Sequence, residues 1–143
     1  MPYTFIEGIT LADSAFEAWG RDLEETFRSA ADATMNVMVE ELDSIQPKES
    51  RGISIEHDAL DLLLFNFLQE FIYYKDSEQL LLRVSKLIIQ KNNSHYTLKT
   101  TALGEKIDPN RHRMRVDVKA VTLHRFSLEE TTQGWKASVI LDI

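Results

Sequence analysis

Two aspartates and one lysine stand in apolar company, where a charge needs a reason. Asp13 follows Ile9, Leu11 and Ala12, and Asp142 closes the apolar run of residues 137–141. Ile143 adds the chain-terminal carboxylate beside that aspartate. Brought together, these groups are hard oxygen ligands of the kind that Ca2+ and Mg2+ prefer. Each also has a plainer reading, Asp13 as a turn or cap residue and Asp142 as part of a solvated tail. Lys119 lies between Val118 and Ala120-Val121 in a β-rich run. A lysine that discourages edge-to-edge association would look the same. Beside two aspartates, it would instead complete a corner suited to phosphate or metal–phosphate.

Other chemistries find little support. Five scattered glycines form no phosphate-cradling loop. No serine sits at a nucleophile elbow. His57, His95, His112 and His124 share no metal-ligand spacing on a helix. The aromatic residues form no base-stacking motif. Having no cysteine, the chain lacks disulfides, thiolate zinc sites, iron–sulfur clusters and a cysteine nucleophile. His112, next to Arg111, is expected as a solvated loop histidine. His124 shares a strand face with Lys119 only if a bulge intervenes, because an offset of five is odd.

The groups that matter must be positioned by a chain of 143 residues, 43% hydrophobic and 27% charged. That length and composition suit one soluble globular domain over residues 1–143. The opening residues lack the basic and apolar regions of a signal peptide. The most apolar stretch, residues 60–74, is interrupted by Asp61, Asn66, Gln69 and Glu70, short of the about 20 apolar residues of a membrane span. A cytoplasmic protein with no membrane partner is expected. Charge is lopsided: residues 1–78 hold 17 acids and 5 bases, residues 79–143 hold 6 acids and 11 bases. The net charge of -7 disfavours a generic nucleic-acid binder. Lys106, Arg111, Arg113, Arg115, Lys119 and Arg125 crowd one stretch, which keeps an RNA-binding or RNA-chaperone module open as an alternative.

Strands are expected at residues 3–6 and 14–19, the second ended by Gly20. Asp22 reads as an N-cap with Glu25 completing a capping box, and a helix follows to Val39 with Leu23, Phe27, Ala30, Ala31, Thr34 and Met38 on one face. After the break at Gln46-Pro47-Lys48, Ile53 and Ile55 mark a short strand. Asp58 is expected to cap a second helix, with Leu60, Leu63, Leu64, Phe67, Leu68, Phe71 and Ile72 forming a broad apolar stripe. Strands are then expected at residues 81–89, 96–102, 116–126 (long and bulged) and 135–141, with turns at Asn92-Asn93-Ser94, Asp108-Pro109-Asn110 and Gln133-Gly134. The fold class is α+β, two helices packed on a mostly antiparallel sheet in a single domain.

Several of these strings carry a resemblance. The run of residues 104–112, Gly-Glu-Lys-Ile-Asp-Pro-Asn-Arg-His, and the run Val116-Asp117-Val118-Lys119-Ala120-Val121-Thr122-Leu123-His124 resemble the archease family. So do Gly134-Trp135-Lys136-Ala137 with Val139-Ile140-Leu141-Asp142-Ile143, and, near the start, Ala12-Asp13, Ala18-Trp19-Gly20 and Leu23-Glu24-Glu25. The resemblance spans essentially the whole chain in order. It implies an accessory activator of an RtcB-type tRNA-splicing RNA ligase, not an independent enzyme. Such a protein promotes guanylylation of the ligase, supports multiple turnover and broadens nucleotide use, and meets tRNA only indirectly. The resemblance further implies a divalent-metal site at Asp13, Asp142 and Ile143, with Ca2+ the first expectation and Mg2+ or Mn2+ the alternatives, and an activating role for Lys119. Where the family reads His-Thr-Ala-Asp, this chain has Thr10-Leu11-Ala12-Asp13, so the histidine that would orient the aspartate is absent.

Overall fold

The computed structural model describes residues 2–7 and 13–143. In it the chain runs β1 (Tyr3–Ile6), β2 (Asp13–Gly20), α1 (Leu23–Met38), a 3-10 turn (Leu42–Ser44), β3 (Glu49–His57), α2 (Leu60–Glu78), β4 (Leu80–Asn92), β5 (His95–Lys106), β6 (Ala120–Thr131) and β7 (Gly134–Asp142).

The start of α1 is the one expected: the Asp22 carboxylate accepts the Glu25 N–H at 2.8 Å. The reciprocal half of the box is displaced by one residue. The Glu25 side chain accepts from the Arg21 N–H and pairs with the Arg21 guanidinium. Burial of α1 is wider than one stripe, because it touches β2 of one sheet and β4 of the other. Thr26, Ser29 and Thr34 are buried there at little cost, each hydroxyl donating to the carbonyl four residues back.

Asp58 does not cap α2. The N-cap is Ala59, without a side-chain cap, and the Asp58 carboxylate instead meets His95 Nδ1 at 2.6 Å. The apolar stripe of α2 is buried from Leu63 through Ile72, and the helix ends at Gln79 in the left-handed region, φ 55°.

The expected single sheet resolves into two, of order β1-β2-β7-β6 and β3-β5-β4. Every strand pair in them is antiparallel. One hydrophobic cluster joins both sheets and both helices. Phe27, Phe67 and Phe71 run through it with ring centroids 5.8 and 5.1 Å apart, the first pair tilted and the second edge to face, each burial contributing roughly 1.5–3 kcal/mol.

β6 starts later than expected, at Ala120 and not Val116, because the preceding residues bond elsewhere. The Arg115 N–H donates to Met38 O, and Val118 O accepts from Lys75. The expected bulge exists: pairing with β7 breaks between Thr122 and Ser127, where Arg125 has φ 54°. His124 lies in this interruption, exposed.

Candidate functional site

Three strands end or begin together at one edge of the four-stranded sheet. Asp13 opens β2, Asp142 closes β7 and Ala120 opens β6, and the register pairs Asp142 with Asp13 on one side and with Ala120 on the other. Directly opposed residues of antiparallel strands carry their side chains on one face, with Cβ atoms about 4.5–5.5 Å apart. The two carboxylates are therefore face-sharing neighbours. Like charges so placed repel.

Asp142 is thus no frayed tail: it is held between two strands, and the adjacent Ile143 packs against the core. Lys119 precedes Ala120 and joins the group through its backbone, its N–H donating to Asp142 O at 2.8 Å, while the residue remains exposed. Among the described residues, no group of three or more His, Cys, Asp or Glu side chains is placed to hold a metal ion. What remains is a pair of carboxylates, oxygen groups of the kind a hard cation takes more readily than zinc does. Residues 10–12, where the sequence departs from the family pattern, lie outside the described residues.

Beneath this edge sits a residue that sequence reasoning missed. Lys75, near the end of α2, is 6% exposed. Its ammonium donates to the carboxylates of Asp76 and Asp117 and to Val118 O, the last at 2.8 Å. Burial alone would pull its pKa down. The hydrogen bonds and charges of Asp117 and Asp76 outweigh that and hold it above the usual lysine value. Position 75 continues the buried stripe of Phe71 and Ile72, which was the available signal.

A second buried polar cluster corrects the expectation for His112, which is 2% exposed and not solvated. Its Nδ1 accepts the Asp108 N–H at 2.8 Å, leaving Nε2 to carry the proton and donate it to Glu105 at 2.9 Å. Glu105, 3% exposed, also accepts from the Gln46 N–H at 2.7 Å and from the Arg111 guanidinium. The Arg111 hydrogen bond, against the opposing effect of burial, holds the Glu105 carboxyl well below the usual carboxylate range. Of the six basic residues that crowd residues 106–125, Arg111 is therefore committed to Glu105, and Arg113 pairs with Glu40 at 3.5 Å. The basic face is thinner than the composition suggests.

Two helices packed against antiparallel sheets define the class: a small α+β protein. The chain belongs to the Archease protein family (MTH1598/TM1083), whose sequence profile matches residues 3–143. Members of this family are non-catalytic activators, and this chain is an activator, not itself an enzyme. It is 37% identical to the protein archease of Pyrococcus abyssi over 133 residues, 92% of this chain and 93% of that one. It is 36% identical to the protein archease of Sulfurisphaera tokodaii over 132 residues, with the same coverage. The solution structure of Methanobacterium thermoautotrophicum protein 1598 superposes with a TM-score of 0.85 at 34% identity, covering 99% of both chains. A crystal structure from Thermotoga maritima, described as an archease and possible chaperone, shares the fold at 17% identity with a TM-score of 0.56.

Proposed function

We propose that this chain activates an RtcB-type tRNA-splicing RNA ligase in the cytoplasm, promoting guanylylation of the ligase and multiple turnover and broadening its nucleotide use. Family membership supports the general role. The observation that carries the finer reading is the cross-strand pair Asp13–Asp142 with Lys119 bonded to the same residue. In this reading Asp13, Asp142 and a main-chain oxygen of Ile143 hold a divalent cation, Ca2+ first and Mg2+ or Mn2+ as alternatives. Such a cation supplies charge neutralisation for the triphosphate that the ligase consumes. The exposed Lys119 ammonium approaches the same phosphates from the side and offsets their charge. The β6 interruption and the segment before β6 present Leu123, Val116 and Met114 to solvent, 59%, 43% and 37% exposed, an apolar surface suited to a protein partner.

The test is multiple-turnover ligation by a cognate RtcB-type ligase with excess RNA and GTP, with and without this protein. Acceleration by wild type and none by Asp13→Ala, Asp142→Ala or Lys119→Ala, all folded, is the expected result. Equal acceleration by wild type and Asp142→Ala would keep the activator and discard the acidic site. No acceleration by wild type would discard the activator.

A further inference from the structure

Lys119 is exposed, and a flexible lysine on a loose strand end would be a poorly aimed charge. The structure around its backbone removes that looseness. The peptide unit joining Val118 to Lys119 is gripped at both ends: its carbonyl oxygen accepts from Lys75 Nζ at 2.8 Å, and its N–H donates to Asp142 O at 2.8 Å. One planar, trans group thus bridges helix α2 and strand β7. A second grip lies two residues on, where the Val121 N–H donates to Gln69 Oε1 at 3.0 Å.

We propose that Lys75, assisted by Gln69, is a positioning residue for ligase activation: through the Val118–Lys119 peptide it fixes where Lys119 stands relative to Asp142. This rests on the functional reading above. The chemistry favours the role. A buried ammonium is tolerated only when its protons are engaged, and one of the three here is aimed at the main-chain carbonyl next to Lys119. An apolar residue in the buried stripe would fill the same place without that bond.

The experiment compares wild type, Lys75→Met, Gln69→Leu and Lys119→Ala at rising concentration against a cognate RtcB-type ligase. It reads the plateau ligation rate separately from the concentration giving half of it, and hydrogen exchange of the Lys119 amide is measured on the free proteins. The expected result for folded Lys75→Met is a plateau lowered about tenfold toward that of Lys119→Ala, with an unchanged half-maximal concentration and faster exchange at Lys119. A plateau equal to wild type in Lys75→Met overturns the proposal, as does an unchanged Lys119 exchange rate. If Lys75→Met fails to fold, Gln69→Leu carries the test by the same criteria, with a smaller drop. Failure of wild type to activate removes the functional reading, whereas activation by wild type and clamp variants alike removes only the clamp.

Discussion

Replacing Glu105 is the most informative stability perturbation, because one side chain accepts from several donors at once. One carboxylate oxygen, Oε2, takes both the Gln46 N–H and His112 Nε2, while Oε1 faces Arg111 and, at 3.6 Å, Lys48. In Glu105→Ala the buried His112 Nε2–H and the part-buried Gln46 N–H lose their acceptor, at about 1–3 kcal/mol each. The exposed heads of Arg111 and Lys48 turn to water and add little. The sum is about 2–6 kcal/mol, and at roughly 3 °C per kcal/mol for a chain of this size the melting temperature falls by about 6–18 °C. Glu105→Gln keeps an oxygen at the Oε2 position and turns its amide toward Arg111, so about 1 kcal/mol, or about 3 °C, is expected. The assay is thermal unfolding followed by circular dichroism at pH 7. A fall under about 3 °C in the alanine variant, or equal damage from both substitutions, would refute the reasoning. The pH dependence gives a second check. The folded pKa lies below the unfolded value, so the carboxylate's contribution is full above about pH 5. It is lost as pH falls below the unfolded value of about 4.3. The gap between wild type and Glu105→Gln should therefore narrow on acidification.

Three further outcomes are expected. Asp22→Ala removes the bond to the Glu25 N–H and should lower stability by about 1 kcal/mol, read as the denaturation midpoint in urea. Phe71→Ala empties a fully buried ring that meets Phe67 edge to face and should cost about 3–5 kcal/mol in the same measurement. Adding millimolar Ca2+ should raise the melting temperature of wild type and leave that of Asp142→Ala unmoved, since a ligand of the folded state stabilises by mass action. Equal shifts in both proteins would separate cation binding from the acidic pair.

The legible parts of the fold are those set by neighbours in sequence. The alternation at residues 14–19, the Asp22 cap and the stripe from Leu63 to Ile72 are all local signals, and each produces the element expected. The parts that were missed depend on partners far along the chain. Asp58 is drawn from its cap position by His95, 37 residues away. His112 is buried because Gln46 and Glu105 assemble a polar niche around it. Residues 115–119 have the composition of a strand, yet their backbone groups are taken by Met38 and Lys75. The division into two sheets is likewise a matter of non-local pairing order. At the site, the separate apolar settings of Asp13, Asp142 and Lys119 marked them as candidates. Their adjacency follows from the β2–β7 and β6–β7 registers, which no local pattern encodes.

The interruption of β6 bears on self-association. β6 is the outer strand of its sheet, and an unbroken twelve-residue outer strand would offer a long row of open donors and acceptors to another chain. The register break cuts it into two short pieces, residues 120–122 and 127–131. In the first piece the Val121 N–H is already occupied by Gln69, and the second carries the exposed Glu129 and Glu130, whose charge repels a second copy. A kink at Arg125 separates the two. The same departure from regular pairing that lifts Leu123 and His124 into solvent therefore denies this border the flat, continuous template on which β-aggregation grows.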